Sequence, residues 1–480
     1  RWRQYAKPSA ENRPVRGGSR GAAVNAIALN TEAPLIVVDA LEPGEPLRKS
    51  AIPAPIGMVL KLDTEGLESY FFADWNPILV DLLVVAAAAE FCDVARRRPQ
   101  LGWSRRFDLQ IAVHDAELWN RRDVRVALED ALSFLTGDAW CFSFVARHQE
   151  LPRVQQTLDL PSGAQIIMPY SDGLDSRAVH ALVAANEGAA GLVRVRLGAG
   201  GVDQPGRAKK RTPFAVVPYR IQVVRREETS ARSRGFKFAA VTGIAALLAK
   251  VRRIVVTESG QGAFGPMLAV SGQTYPDYRV HPTFSRRMER LLMVLTGQEV
   301  RYEYPRLWNT KGETLRSASS LKPAPNWSDT RSCWQQSRHS SVGGRRRQCG
   351  ICAACMLRRM SMFTAGIEEP AETYTWERLS VERFEDGAAA GFARITPALR
   401  EYAIAGVLHM DHLAELADSP LHVPSLRRAA RETAEALSEA PGQVEHQLRG
   451  MLERHAEEWR GFRRSLSAAS FVTRLASARP

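Results

Sequence analysis

Cysteine is scarce in this chain, with 6 among 480 residues, and that scarcity excludes the disulfide-stapled architecture of small secreted proteins. Long apolar runs are missing too. The best candidate, Ile78 to Ala89, is broken by Asp81 and falls short of the roughly 18 consecutive apolar residues that read as a membrane span. It is expected to be a buried helix, and no membrane partner is expected. The chain opens on Arg1 rather than Met, and the residues up to Ala23 hold no apolar core of the signal-peptide kind, so a cytoplasmic location is expected. Acidic residues are in deficit, 52 Asp and Glu against 65 Lys and Arg, for a net charge of +13. Such a charge suits nucleic acid, but it equally suits an enzyme that holds phosphates. A nucleic-acid partner is left open and not favoured. The rest is ordinary for globular domains, with 45% hydrophobic and 24% charged residues, enough to build sizeable cores.

Residues 1–23 are polar, Gly/Pro-rich and basic, and read as a flexible arm. Residues 24–161 read as an N-terminal mixed α/β domain. Its strands are expected at Pro34–Val38, Arg106–Val113 and Trp140–Val145, and its helices at Asn76–Arg97 and Asp123–Phe134, the last capped by Gly137. Cys92 and Cys141 fall on apolar faces and read as small core residues. Across residues 162–365 the order becomes strand, turn, helix, strand. Strands are expected at Gln165–Tyr170, Gly191–Leu197, Phe214–Val224 and Arg253–Thr257. Helices are expected at Asp175–Asn186, Ser233–Lys250 and Thr283–Thr296. That alternation predicts an α/β fold with a parallel sheet. Residues 366–480 read as a charged helical region, with amphipathic helices at Ser425–Ala440 and Gln443–Phe462.

Two patterns carry chemistry. In the first, an apolar strand runs into Ser171-Asp172-Gly173-Leu174-Asp175-Ser176 and then straight into a helix. The order points backbone N–H groups and the positive helix end at one spot suited to an anion such as pyrophosphate. Ser171 and Ser176 add hydroxyl donors, and Asp175 offers a carboxylate for a bridging magnesium ion or for the helix cap. No Gly-Lys-Ser/Thr follows, so this is not a Walker loop. Alone, the pattern is equally an ordinary strand-to-helix turn. In the second, Cys333, Cys349, Cys352 and Cys355 are spaced C-x15-C-x2-C-x2-C. Four thiolates so grouped suit a closed, structural tetrahedral zinc, with an iron–sulfur cluster as the competing reading. Gly350 permits the tight turn, and Arg345, Arg346, Arg347, Arg358 and Arg359 are expected to offset the thiolate charge.

The first pattern resembles the Ser-Gly-Gly-x-Asp-Ser signature of PP-loop ATP pyrophosphatases, with Asp172 where that family prefers Gly. Asp tolerates left-handed backbone angles, so the turn survives, but an added carboxylate repels phosphates. Loop and cysteines in this order, followed by Leu357-Arg358-Arg359 and Phe363, resemble the 7-cyano-7-deazaguanine synthase (QueC) family over residues 163–363. Ser233-Arg234-Gly235-Phe236, Glu258-Ser259-Gly260, Tyr275-Pro276-Asp277-Tyr278-Arg279 and Thr310-Lys311-Gly312-Glu313 are similar to further family runs.

The resemblance implies a PP-loop (adenine nucleotide alpha hydrolase-like) parallel-sheet core with a zinc knuckle. Here that core is flanked by the N-terminal α/β domain and a helical C-terminal extension. It implies ATP with Mg2+, a structural Zn2+, and a small-molecule deazapurine substrate. A 7-carboxy-7-deazaguanine-type carboxylate would be adenylated with release of pyrophosphate and passed to an amine. In that scheme Ser171, Asp172, Gly173, Leu174, Asp175 and Ser176 bind the nucleotide, with Gly260 beside its adenine or ribose. Asp175, Ser176, Arg234 and Lys311 act catalytically, and Tyr275, Asp277 and Arg279 contact the substrate. The family core is normally compact, whereas here long segments precede and follow it. Gly198–Pro213 is Gly-rich and basic where the family continues into a helix. This layout is more similar to the QueC-like subunits of bacterial anti-phage cassettes of the Qat and CBASS types, which implies a protein partner bearing the acceptor amine. Two other readings stay open. Asp172 points to a catalytically impaired nucleotide-binding scaffold, and the net charge points to a tRNA-modifying PP-loop enzyme.

Overall fold

The computed structural model describes residues 34–62, 77–99, 103–148, 163–171, 173–196, 219–228, 232–269, 275–335, 339–392 and 395–477. The basic arm, Gly198–Pro213 and Asp172 lie outside these residues.

Two four-stranded, wholly parallel sheets organise the chain. The first has the order β2-β1-β4-β5, with β1 at Leu35–Ala40, β2 at Ile52–Pro53, β4 at Arg106–Val113 and β5 at Ala139–Ala146. The second has the order β10-β9-β6-β7, with β6 at Ile166–Tyr170, β7 at Leu192–Arg196, β9 at Arg253–Val255 and β10 at Arg301–Glu303. Strands covered on both faces read as continuous apolar runs, and Ile166, Ile167 and Met168 are accordingly all buried.

The strand expected over Phe214–Val224 departs from this plan. Its described part, β8 at Tyr219–Ile221, pairs antiparallel with β3 at Leu60–Leu62, outside both parallel sheets. Tyr219 is buried and Arg220 exposed, a two-faced pattern that suits an antiparallel ladder better than a sheet covered on both sides. Cys141 also departs from expectation. On the edge strand β5, Trp140, Phe142 and Phe144 point into the core, so the period of two turns Cys141 outward and leaves it exposed. Cys92 is buried as expected.

Helix α1, Pro77–Ala95, is buried along nearly its whole length. Asp81, which interrupts its apolar run, accepts the His114 N–H at 2.9 Å and faces His114 Nδ1 at 2.7 Å, so a buried carboxylate is satisfied rather than stranded. Helices α2 (Ala116–Asn120) and α3 (Arg122–Thr136) connect β4 to β5. Gly137 caps α3 at φ 70°, as the sequence predicts. After β6 come α4 (Leu174–Glu187), α5 (Arg234–Leu248), α6 (Gly260–Leu268), α7 (Pro282–Thr296) and α8 (Lys311–Ser319).

Helix α1 packs against both β4 and α5, and one apolar core runs from Val38, Leu83 and Phe107 to Phe236, Ile244 and Leu292. A buried polar joint reinforces the contact. Arg98 and Arg105 bridge Asp93 and Asp138, with Arg105 2.7 Å from Asp138, while Asp93 accepts the Ser233 N–H at 2.7 Å at the head of α5.

The C-terminal part comprises α9 (Ala353–Ala365), α10 (Pro397–Asp418), α11 (Val423–Leu437), α12 (Pro441–Ser465) and α13 (Phe471–Ser477). A second core gathers Met356, Trp376, Met410 and Trp459 around the cysteines. No helix of the described residues is long and apolar enough to cross a membrane.

Candidate active site and metal centre

In the second sheet β6 is followed by β7 on one side, and β9 with β10 lies on the other. The order reverses between β6 and β9, and in open parallel sheets the crevice beyond the carboxyl ends at such a switch point receives ligands. Here it receives the Ser171–Ser176 loop after β6 and Thr257-Glu258-Ser259 after β9.

The loop is tied across this crevice. Ser176 Oγ lies 3.0 Å from Ser171 Oγ and 3.1 Å from Thr257 Oγ1, and it accepts the Ser171 N–H at 3.1 Å. Thr257 donates to the Pro169 carbonyl at 3.1 Å. Gly173 is the N-cap of α4 with no side-chain capping bond, so the positive helix end is free to face an anion. A Cβ at Gly173 would lie 3.1 Å from Ser171 Oγ and 3.7 Å from the Arg331 carbonyl, which explains the glycine by close approach.

Asp175 does not cap the helix. Its Oδ1 accepts from Ser259 Oγ at 2.7 Å and its Oδ2 pairs with Lys311 Nζ. Burial works against the charged ammonium, but the Asp175 and Glu258 carboxylates outweigh it and hold the Lys311 pKa above the usual lysine value. Both Asp175 oxygens are engaged in this arrangement, which leaves neither free for a magnesium ion. The residues as arranged do not fit that ion.

Three arginines cluster near the head of α5. Gly235 lets Arg279 approach so closely that a Cβ there would sit 2.9 Å from Arg279 Cγ. Arg279 and Arg232 both pair with Asp277, at 2.6 and 3.4 Å. Arg234 stacks on the Phe238 ring at 4.9 Å, and burial together with the adjacent Arg279 lowers its pKa. Like charges held together in this way are relieved by a bound anion.

Sequence reasoning assigns Glu258 no role. Burial and the Asp175 carboxylate push its carboxyl up to about 8, against the opposing pulls of Lys311 and Arg279. The signal that could have found it is a Glu directly after a buried strand that ends at the loop.

Two residues expected to touch ligand are engaged by distant parts of the chain. Tyr275 stacks on Trp103 of the N-terminal part, with ring centroids 6.2 Å apart, and donates to the Phe134 carbonyl. Gly260 lies under α12, where a Cβ would meet the Leu307 carbonyl at 2.5 Å and Met451 Cγ at 2.9 Å.

Helix α12 also braces Lys311. Gln261 Oε1 accepts the Lys311 N–H at 2.6 Å, and Gln261 Nε2 lies 2.9 Å from His455 Nδ1. Glu458 accepts from Thr310 Oγ1, and Arg454 pairs with Glu313 at 2.9 Å. Thr310 and Glu313 form a capping box at the start of α8. Nothing in the local sequence announces a brace that comes from so far along the chain. Glu458→Ala strips a buried acceptor from Thr310 and is expected to cost about 1–3 kcal/mol, read as a lower denaturant midpoint at unchanged slope.

The four cysteine sulfurs lie within 4.8 Å of one another. Cys349 and Cys355 are 3.8 Å apart, close to the roughly 3.8 Å edge of a tetrahedron with Zn–S bonds of about 2.3 Å. The Cys349 N–H points at Cys333 Sγ at 3.2 Å and the Cys352 N–H at Cys349 Sγ at 3.3 Å, as thiolate ligands require. The donor set fits a closed zinc site. Gly350 turns at φ 83° and could not carry a Cβ, which would lie 2.9 Å from the Trp376 carbonyl.

The five arginines do not act as a group. Arg345 and Arg346 are exposed, Arg347 pairs with Glu377, and Arg358 with Glu369, both at 2.6 Å. Only Arg359, over the Tyr374 ring at 4.0 Å, feels Cys355 and Cys349 directly. Spacing along the chain does not reveal which carboxylates compete for each guanidinium. Fully buried Arg358 also donates to Thr330 Oγ1 at 2.8 Å. It thereby joins the knuckle to the segment whose Arg331 carbonyl approaches Gly173.

Comparison with known proteins agrees on one part of the chain. Residues 243–366 match the family model described as "Queuosine biosynthesis protein QueC". A 7-cyano-7-deazaguanine synthase of an Anaeromyxobacter species is 36% identical over 107 residues, covering 21% of this chain and 41% of that protein. The 7-cyano-7-deazaguanine synthases of Cupriavidus taiwanensis and Cupriavidus necator are each 31% identical over 116 residues, covering 23% of this chain and 47% of theirs. The chain thus spans less than half the length of these curated relatives. No solved structure matches it. The family match holds β9, Lys311 and the cysteines, and leaves the Ser171–Ser176 loop outside.

Proposed function

We propose that the chain, whose residues 243–366 match the QueC family model, is an ATP-dependent ligase that adenylates a 7-carboxy-7-deazaguanine-type carboxylate. The observation that supports this reading is that Lys311, paired with Asp175 at the open helix end, and Arg279 both act on Glu258, which follows β9. Pyrophosphate lies on the α4 N–H groups and the Ser171 and Ser176 hydroxyls. Lys311 turns from Asp175 to the phosphate oxygens and stabilises charge that builds on the leaving group. Arg234 and Arg279 hold the substrate carboxylate against the α-phosphate, so that two anions meet without mutual repulsion deciding the outcome. The activated acyl group then passes to an amine, either ammonia or an amine on a partner protein.

The N-terminal sheet and C-terminal helices flanking the family segment support the second acceptor and a place in an anti-phage cassette. Zinc held by Cys333, Cys349, Cys352 and Cys355 supplies no chemistry to these steps and fixes the segment beside the loop.

The test is ATP–pyrophosphate exchange with carboxydeazaguanine, followed by intact mass of cassette partners. Carboxylate-dependent exchange with a partner gaining the acyl mass is expected. Exchange with free nitrile and no mass gain would remove the protein acceptor. No exchange with any deazapurine carboxylate would leave a nucleotide-binding scaffold.

A further inference from the structure

Glu258 is a carboxylate of the crevice to which the proposed binding and activation assign no ligand contact, although together with Asp175 it helps hold the charge on Lys311. It follows β9 at the switch point, where Gly262 leaves it a slot: a Cβ at Gly262 would lie 2.0 Å from Glu258 Oε2. Asp175, Lys311 and Arg279 all act on its charge, so it lies within electrostatic reach of the groups that would grip pyrophosphate and carboxylate. An acyl adenylate spanning those groups would bring its carbonyl carbon within reach of the Glu258 segment. Tyr275, by contrast, is turned away into the N-terminal part.

Resting on the proposed adenylation, we propose that Glu258 is the general base that takes the proton from the attacking amine. The amine nitrogen bonds to the acyl carbon and the carbon–oxygen bond to the phosphate breaks. The bonding pair leaves with AMP, and the nitrogen gives one proton to Glu258, which passes it to water. The product is an amide. The charged groups that face Glu258 are Asp175, Lys311 and Arg279. Burial and Asp175 keep its carboxyl basic, and Lys311 and Arg279 favour its ionised form against them.

The test separates activation from transfer in the full chain. Glu258→Gln is expected to keep ATP–pyrophosphate exchange at the wild-type order of magnitude and to lose amide formation from ammonia by about 10²–10⁴-fold. With hydroxylamine, whose weakly basic nitrogen sheds its proton to water more readily once bonded to carbon, the loss should be smaller. Gly262→Ala displaces the carboxylate without removing it and should give the same split, which guards against a folding defect in one variant. Exchange lost in proportion to transfer would make Glu258 a nucleotide or cation ligand and overturn the proposal, as would undiminished transfer from ammonia. A wild-type chain silent in exchange overturns the adenylation reading itself, and the base with it, whereas exchange without the split overturns the base alone.

Discussion

Lys311→Met should abolish carboxylate-dependent ATP–pyrophosphate exchange, by about 10²–10³-fold or more, the scale seen when one preorganised group aimed at developing charge is removed. It should also destabilise the protein. Lys311 and Asp175 are paired and nearly buried, and removing one partner leaves an uncompensated charge worth about 3–5 kcal/mol. The two effects can be separated. In the double variant Lys311→Met/Asp175→Asn the stranded charge is gone, so the melting temperature should return most of the way while exchange stays lost. A single variant that keeps exchange would show Lys311 to be only a structural partner of Asp175. A double variant that regains exchange would show that the single loss was a folding defect.

Cys352→Ser should release the metal and collapse the knuckle together with the site beside it. Apparent binding energies of structural zinc run to about 10–16 kcal/mol in isolated zinc-binding peptides, and that energy is folding energy. Here the cysteines share a core with Trp376, Met410 and Trp459, so part of the fold is expected to survive. The purified wild-type chain should hold one zinc per four-cysteine site and no visible iron–sulfur absorption. The variant should lack zinc and should be cut by protease between Thr330 and Gly366. Exchange should fall too, because Arg358 ties the knuckle to Thr330 and the Arg331 carbonyl abuts Gly173. Metal loss with full exchange would show that knuckle and loop are independent. Visible absorption with bound iron would replace zinc by a cluster.

The two patterns legible in the sequence are local. The cysteines speak through their spacing, and the loop through an apolar strand, small residues and a helix within a short stretch of chain. The family match covers Gly243 to Gly366, and the structure brings the cysteine sulfurs together. Where the sequence misleads, one local pattern has two outcomes. Cys141 lies among aromatic residues, yet on an edge strand alternate side chains face opposite ways. Tyr275 sits in a run similar to a substrate motif, yet its ring is taken by Trp103, far away in the chain.

The sequence alone determined the chemical inventory: four cysteines spaced for one metal, and a strand that runs through small hydroxyl-bearing and acidic residues into a helix, because both depend on neighbours along the chain. Tertiary structure decided what surrounds them. Ser259 reaches Asp175 across 84 positions, and Glu458 reaches Thr310 across 148. Contacts at such separations leave no periodicity to read. They exist only because a parallel sheet brings the ends of β6 and β9 side by side, and because the C-terminal helices fold back onto the start of α8.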